Sequence, residues 1–273
     1  MSLVPIGASV TDGMKAGHGF PFDSNGMKVR YPDVFFSQFT GAELVADKWN
    51  LSRQDLDEFA FESHRKAAHA TKTKYFDREI LPVEGKNAEG INDMVIADEG
   101  IRFDASLDKL AGLNPVTEGG VITAGNASQI TDGAAAVLIC NNAGLKKIQS
   151  NPRAEIVSIS VVGDDPVFML TGPIPASIKA LKNANLSIDD IDLYEVNEAF
   201  APVPLAWAEE LKADRSKLNV NGGAMALGHP LGATGAKLMT TLLHEMERRE
   251  SNYGLQAICE GGGTANATII KRL

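Results

Sequence analysis

The chain is poor in cysteine, in aromatic residues and in long apolar runs. Its two cysteines, Cys140 and Cys259, are too few for a disulfide framework in 273 residues, so each is considered as a free thiol. No apolar run approaches the length of a membrane span, and the first residues lack the charged-then-apolar pattern of a signal peptide. We therefore expect no membrane association and a cytoplasmic location.

Positive charge is also in deficit, since the net charge is −9 and the pI is near 5.1. This argues against nucleic acid as the main partner, although a local basic pocket for a nucleotide phosphate would not show in a sum of charges. Glycine is frequent at 26 residues, and 44% of the chain is apolar. The balance is typical of an α/β enzyme rather than of a coiled coil or a disordered tail.

The first part of the chain divides into an irregular and a helical stretch. Weak periodicity predicts loops over residues 1–40, and helical spacing follows over residues 42–71, with Ser52 as a predicted N-cap. His64 and His69 lie about 140° apart around such a helix, so a shared metal ion is not expected. We interpret both histidines as facing solvent.

Short strands, turns and a small helix near residues 107–111 are predicted between residues 72 and 113. Further along, the run AAAVLIC at residues 134–140 has the length and composition of a buried strand. Cys140 ends that run, and we therefore interpret it as a core residue without catalytic function.

From residue 154 onward, strand and helix patterns alternate to the C-terminus. The order β-α-β-α-β-α-β-β describes a layered α/β domain with its own core. It includes a short strand-like stretch at residues 218–221, just before the glycine-rich run NGGAMALGHPLGATG. Glycine lets the backbone of such a run turn sharply and approach a ligand closely.

Three loops of this domain follow a strand and carry one chemically apt side chain each. Asn197 follows DLYEV, His229 lies in the glycine-rich run, and Cys259 ends LQAIC before a Gly-Gly-Gly turn. Open α/β sheets bind ligands at such strand ends, and histidine and cysteine suit proton transfer. Taken singly, the three residues also fit a helix cap, a solvated loop histidine and a strand-end filler. Their equivalent positions favour a site, with Cys259 exposed.

A phosphate loop is not supported by the glycine spacing. Gly228, Gly232 and Gly235 match neither G-x-G-x-x-G nor G-x-x-x-x-G-K-[ST], and Lys237 is not followed by Ser or Thr.

Several long segments, in order, resemble signatures of the thiolases, the acyl-CoA acetyltransferases. They are TAGNASQITDGAAA (123–136), GPIPA (172–176), NEAFA (197–201), NGGAMALGHPLGATG (221–235) and CEGGG (259–263). The resemblance implies a five-layered α-β-α-β-α fold of two similar halves, with a loop domain inserted in the first.

The same resemblance implies a division of this chain into three parts. Residues 1–113 are expected to form the loop domain, 114–153 a remnant of the N-terminal half, and 154–273 the complete C-terminal half. The start of the N-terminal half, on the order of a hundred residues, is expected to be absent. In thiolases that part carries the acylated cysteine.

The family mechanism assigns roles to four residues. His229 would be the base that activates the nucleophilic cysteine, and Cys259 would exchange a proton with the acetyl-CoA carbon. Asn197 would hold a water that, with His229, stabilises the enolate oxygen. The Gly261 N–H would serve a second oxyanion hole.

Coenzyme A contacts are implied in the same way. Arg102 would lie near the adenine, Ala124 and Ser128 along the pantetheine, and Met169 and Phe200 in the acyl pocket. No metal and no cofactor beyond coenzyme A thioesters as substrates is expected.

Two functional hypotheses follow from the resemblance. The first is a thiolase-type acyltransferase, which cleaves 3-ketoacyl-CoA or condenses acetyl-CoA, in a homodimer or homotetramer active in lipid metabolism. The second is an inactive coenzyme A-binding fragment or subunit. Because neither Cys140 nor Cys259 is placed as the acyl carrier, we expect this chain alone to be inactive.

Overall fold

The computed structural model describes residues 4–86 and 90–273. Its N-terminal region contains the helices α1 (Ala8–Lys15), α2 (Asn25–Arg30), α3 (Gln38–Lys48), α4 (Arg53–Lys72) and α5 (Leu107–Ala111), and the antiparallel strands β1 (Val83–Lys86) and β2 (Asn92–Val95). The loop prediction for residues 1–40 is therefore wrong at α1 and α2. Both helices are too short to show repeated apolar spacing, and α2 depends on Ser24, whose side chain accepts the Met27 N–H.

The predicted helical stretch is confirmed, but it is two helices. Asn50, with φ 51°, turns the chain out of α3. Ser52 then caps α4: its hydroxyl accepts the Asp55 N–H at 3.2 Å, and the Asp55 carboxylate accepts the Ser52 N–H at 2.8 Å. This reciprocal capping box defines the start of α4, as the sequence predicted.

The two histidines of α4 have different environments. His69 is exposed, as expected, but the interpretation of His64 as solvent-facing is wrong, since it is 3% exposed. The segment around Arg102 folds back over α4, and the Arg102 N–H donates to His64 Nδ1 at 3.1 Å. A contact between residues so distant in sequence leaves no signal in local spacing.

The predicted buried strand at residues 134–140 is also wrong. This segment forms no regular secondary structure and pairs with none of the described strands, and α6 (Asn142–Ile148) follows it. Leu138 and Ile139 are 78% and 69% exposed, and Cys140 is exposed rather than in the core. Strand-like composition produces a buried strand only where a neighbouring strand supplies the hydrogen-bond partners.

The C-terminal region is built on one mixed sheet. Its strands are β3 (Ala154–Gly163), β4 (Leu193–Val196), β5 (Tyr253–Glu260) and β6 (Thr264–Arg272), in the order β3-β6-β5-β4. β6 is antiparallel to both neighbours, and β4 is parallel to β5. Four helices complete the region: α7 (Pro173–Ala184), α8 (Pro202–Leu211), α9 (Ala224–Leu227) and α10 (Thr234–Arg249).

The strand-like stretch at residues 218–221 is a bridge followed by a turn. Leu218 makes one isolated parallel bridge with Tyr194. At Asn219 the backbone has φ 43°, and its side-chain amide pairs with the Val196 N–H and C=O, both at 2.9 Å. A side chain thus substitutes for the next strand residue at the end of β4.

Helices cover both faces of this sheet. Alternate residues such as Leu255 and Ala257 of β5 pack in the main core with α7 and α8. Leu193 and Ile270, on the opposite face, pack against α10 through Leu242 and Met246. The layering agrees with the sequence pattern, and the apolar stripe of α10 consists of Met239, Leu242, Leu243 and Met246, which have the i, i+3, i+4, i+7 spacing of one helix face. None of the helices in the described ranges is long and apolar enough to cross a membrane.

Candidate functional site

The loop that carries His229 is held against its neighbours by glycine. Gly228 has φ 80°, a conformation that favours glycine, and a Cβ there would collide with the side chain of Thr131. The loop can therefore lie directly on the segment 123–131. In the other direction it runs through Pro230 into the first turn of α10.

Both ring nitrogens of His229 have a partner. Nδ1 lies 2.7 Å from Thr234 Oγ1, and the Thr234 hydroxyl lies 3.0 Å from the Pro230 carbonyl, to which it donates. Nε2 lies 3.3 Å from Asn197 Nδ2. Because an amide NH₂ only donates, Nε2 accepts and Nδ1 carries the proton. Burial, reinforced by the charge of Lys237, lowers the pKa of His229 to about 4. The imidazole is therefore a neutral base at neutral pH.

Asn197 is positioned by the sheet. It is 1% exposed, and its N–H donates to the Ala257 carbonyl at 3.0 Å, which extends the parallel pairing of β4 and β5 by one residue. The side-chain Oδ1 is buried and has no hydrogen-bond partner among the described residues. A buried acceptor of this kind is a place for a water or a ligand group.

Cys259 lies near the end of β5, but it is buried, so the prediction of an exposed thiol is wrong. It is 7% exposed because its side chain faces the same core as Ala257. Burial, with the neighbouring charge of Glu260, raises the pKa of the Cys259 thiol to about 12. Gly261 follows in an exposed turn. The thiol is thus protonated at neutral pH.

The segment 123–131 joins the Asn197 loop to the His229 loop. Ser128 N–H donates to the Ala199 carbonyl at 2.9 Å, while His229 N–H donates to the Gln129 carbonyl at 3.2 Å. The Gln129 side chain also donates to the Met225 carbonyl at 2.6 Å. Ser128 is half-buried and Ala124 is exposed. Gln129 was missed from the sequence, although it lies inside the motif TAGNASQITDGAAA.

Met169 and Phe200 both border the start of α3. Met169 is buried with φ 59°, and its Cβ would lie 3.5 Å from a Cβ on Gly41. Phe200 is buried, and its ring makes an edge contact with Phe39 at 5.5 Å between centroids. The fold thus brings the two predicted acyl-pocket residues to one helix.

Arg102 lines a cleft of about 360 Å³ between α4 and the chain that covers it. The cleft combines basic and aromatic side chains: Arg65, Lys72, Arg102, Phe61 and Phe103. His229, Asn197 and Cys259 do not line it. Another cleft, of about 460 Å³, is lined by eleven residues between positions 20 and 36, five of them aromatic, and contains no predicted site residue.

The buried carboxyl group of Glu198 fixes the loop that carries Asn197 through three hydrogen bonds. Glu198 accepts hydrogen bonds from Ser63 Oγ at 2.7 Å, from Asn219 Nδ2 at 2.8 Å and from the Met225 N–H at 3.2 Å. Its burial raises the pKa of the carboxyl. This network links α4, the end of β4 and α9, and no pattern in the sequence indicates it.

Potential metal ligands are not grouped here. Within residues 4–86 and 90–273, no cluster of three or more His, Cys, Asp or Glu side chains could hold a metal ion.

Comparison with protein families assigns both parts of the chain. Residues 1–143 match the model described as thiolase, N-terminal domain, and residues 150–272 match thiolase, C-terminal domain. This chain belongs to the thiolase family. The recognition from the sequence motifs is thereby confirmed.

Curated relatives align with the whole chain. It is 52% identical over 274 residues to the steroid 3-ketoacyl-CoA thiolase FadA6 of Mycobacterium tuberculosis (strain ATCC 25618 / H37Rv), covering 100% of this chain and 66% of the relative. An acetyl-CoA acetyltransferase of Rhizobium meliloti (strain 1021) is 45% identical over 100% of this chain and 70% of its own length. The chain thus spans about two thirds of the length of these relatives.

Solved structures confirm the thiolase fold. The acetyl-CoA acetyltransferase of Bacillus anthracis superposes with a TM-score of 0.84 and 40% identity, over 89% of this chain and 61% of that one. Human mitochondrial 3-ketoacyl-CoA thiolase in complex with CoA gives 0.82 and 43%, over 86% and 58%.

Proposed function

We propose that this chain supplies the base, the proton-transfer group and the coenzyme A contacts of a thiolase-type acyltransferase. The reaction is thiolytic cleavage of 3-ketoacyl-CoA, or its reverse, the condensation of acetyl-CoA. The observation that carries the proposal is the neutral His229, held between Thr234 and Asn197 with its Nε2 as an acceptor. Relatives named as 3-ketoacyl-CoA thiolase and acetyl-CoA acetyltransferase support it.

In the proposed reaction, His229 takes the proton of the nucleophilic thiol and helps to stabilise the enolate oxygen with a water bound to Asn197. The unpartnered Asn197 Oδ1 supports that role, since it can accept from such a water. In thiolysis the Cys259 thiol gives its proton to the acetyl-CoA enolate and becomes a thiolate; in condensation the thiolate removes a proton from acetyl-CoA and returns to the thiol. A thiol of high pKa suits this exchange with a weakly acidic carbon. The Gly261 N–H serves the second oxyanion hole.

The coenzyme A contacts are proposed at three places. Arg102 meets the nucleotide end in the basic and aromatic cleft, Ala124 and Ser128 lie along the pantetheine, and Met169 and Phe200 border the acyl group. The arrangement of positive charge beside Phe61 and Phe103 is suited to a phosphate and an adenine ring. A structural relative described in complex with CoA supports this part.

We further propose that the chain alone does not complete acyl transfer. Cys140 is exposed at the end of the segment 134–140 and Cys259 is buried in the proton-transfer position, so neither is placed to carry the acyl group. The alternative function is therefore a coenzyme A-binding subunit without turnover. Cytoplasmic location, a part in fatty acid β-oxidation, assembly as a homodimer or homotetramer, and the three-part domain division belong to the same proposal.

Two assays test these statements separately. In the first, the chain is incubated with acetoacetyl-CoA and free CoA; we expect no cleavage above the blank, and turnover would overturn the proposed inactivity. In the second, acetyl-CoA is incubated with the chain in D₂O. We expect deuterium to enter the acetyl methyl group, because proton exchange needs Cys259 and the enolate site but no acyl carrier.

Variants make the second assay specific. Cys259→Ser and His229→Asn are expected to abolish the exchange, whereas Cys140→Ser is expected to leave it unchanged. Calorimetric binding of CoA without any exchange would favour the alternative function. Exchange that persists in Cys259→Ser would show that Cys259 is not the proton-transfer group.

A further inference from the structure

Lys237 reaches back across the His229 loop from the first turn of α10. Its Nζ donates to the Leu227 carbonyl at 3.0 Å, and its own N–H continues the helix to Ala233 at 2.9 Å. Leu227 ends α9 and immediately precedes Gly228 and His229. A hydrogen bond from an ammonium group is stronger than one between neutral groups. The loop is thus held by α10 at two points, at Leu227 by Lys237 and at the imidazole by Thr234.

The charged groups that face Lys237 come from several elements. Glu195 lies on β4, Glu79 follows α4, and Asp98 follows β2. Burial raises the pKa of all three carboxyls, to about 7 for Glu79, and the Lys237 charge opposes each rise. His229 is the fourth titratable group within reach of this charge. The charges of Glu198 and Lys66 also act on Glu195.

Lys66 provides a comparison within the same molecule. It is a partly buried lysine of α4, its Nζ donates to the Leu218 carbonyl at 2.9 Å, and it faces Glu195 and Glu198. Its carbonyl partner, however, lies before the turn at Asn219 rather than beside His229. If each lysine served only to satisfy a partly buried carbonyl group, replacing either one would have the same effect on the His229 loop.

We propose that Lys237 is a positioning residue for His229: its ammonium group, bound to the Leu227 carbonyl, fixes the backbone from Leu227 to His229. This deepens the proposed function, because it rests on His229 as the base. Without Lys237, the Leu227 carbonyl loses its donor, the loop gains freedom, and the ring accepts a proton more readily.

The test compares Lys237→Met, Lys237→Arg and Lys66→Met in the full chain by two measurements. Amide hydrogen exchange measures how often the loop opens, at the Gly228 N–H and the His229 N–H. The Gly228 N–H donates to the Ala224 carbonyl at 3.0 Å. ¹⁵N NMR titration reports the imidazole, with the His229 resonance assigned by its absence in His229→Asn. Neither measurement needs turnover, so both test the role of Lys237 whether or not the acyltransferase assays succeed.

In Lys237→Met we expect exchange at these two amides to rise about tenfold and the His229 midpoint to move up by about half a pH unit or more. Lys66→Met should match the wild type in both. A folded Lys237→Met that matches the wild type in either measurement, or a Lys66→Met with the same changes, would overturn the proposal. Lys237→Arg keeps the charge and should match the wild type; if Lys237→Met does not fold, a His229 midpoint near 6.5 in Lys237→Arg would contradict it.

Discussion

The Thr234 hydroxyl lies 2.7 Å from His229 Nδ1 and 3.0 Å from the Pro230 carbonyl. One side chain therefore accepts the imidazole N–H and donates to the loop that carries the imidazole. This chain of hydrogen bonds has one consistent direction, from Nδ1–H to Thr234 and from Thr234 to Pro230. It leaves the Nε2 lone pair to face Asn197.

Replacing Thr234 by valine should change the tautomer of His229. The buried Nδ1–H would lose its acceptor, at a cost of about 1–3 kcal/mol, so the form with the proton on Nε2 gains population. ¹⁵N chemical shifts of the imidazole measure the two tautomers directly. Thr234→Ser keeps the hydroxyl and should retain the wild-type tautomer. An unchanged tautomer in Thr234→Val would mean that Asn197 alone orients the ring.

His64 should make the fold sensitive to acid. Burial, with the nearby Arg102 charge, lowers its pKa from 6.5 to about 4, so the unfolded state takes up this proton first as the pH falls. The stability that neutral His64 provides is complete above pH 6.5 and is lost progressively toward pH 4. Glu79, with its pKa raised to about 7, has the opposite dependence: its contribution is present below pH 4.5 and is lost as the pH rises through 7.

The His64 contribution can be isolated by a variant. His64→Asn keeps an acceptor for the Arg102 N–H but cannot titrate, so it should lose less stability than the wild type between pH 6.5 and 4, by on the order of 2 kcal/mol. Urea unfolding at each pH measures this. His69→Asn, in the same helix but exposed, should follow the wild type. If the free energy of unfolding changes with pH in the same way for His64→Asn and the wild type, the lowered pKa of His64 is contradicted.

The two cysteines should differ sharply toward alkylating reagents. Cys140 is exposed, whereas Cys259 is buried with a pKa of about 12. Its thiolate fraction near pH 8 is then about 10³-fold below that of an ordinary thiol. Iodoacetamide on the native chain should modify Cys140 first, and Cys140→Ser should remain unlabelled until it is unfolded. Mass spectrometry of timed samples decides this, and early modification of Cys259 would show an open site.

Helix α4 and much of the C-terminal fold could be predicted from the sequence, because local signals there agree with one another. The α4 capping box, the apolar stripe of α10 and the strand runs each depend on neighbours a few residues away. The strand patterns placed Asn197 and Cys259 at strand ends for the same reason, whereas the predicted strand before His229 is wrong, since His229 follows α9.

The errors arise where distant residues decide the environment. His64 is buried by the segment around Arg102. The side chain of Asn219 pairs with Val196 in the way that the backbone of a neighbouring strand would. The two cysteines were predicted with their exposures reversed, since exposure depends on which elements pack against a residue. Thr234 lies within the glycine-rich run and Lys237 just after it, but no pattern in the sequence indicates that either binds the His229 loop. Their roles depend on the position of the first turn of α10 next to that loop.

The unpaired segment at residues 134–140 should promote self-association. Leu138 and Ile139 are largely exposed on a segment that pairs with no described strand, and an exposed apolar segment of this kind is available to pair with another copy. Leu138→Lys should reduce light scattering at raised protein concentration while it changes the free energy of unfolding by no more than about 0.5 kcal/mol, because little buried contact is lost. Val29→Lys is the matched control, since Val29 is 84% exposed on α2 and gains the same charge. If both variants reduce scattering equally, net charge rather than this segment controls association.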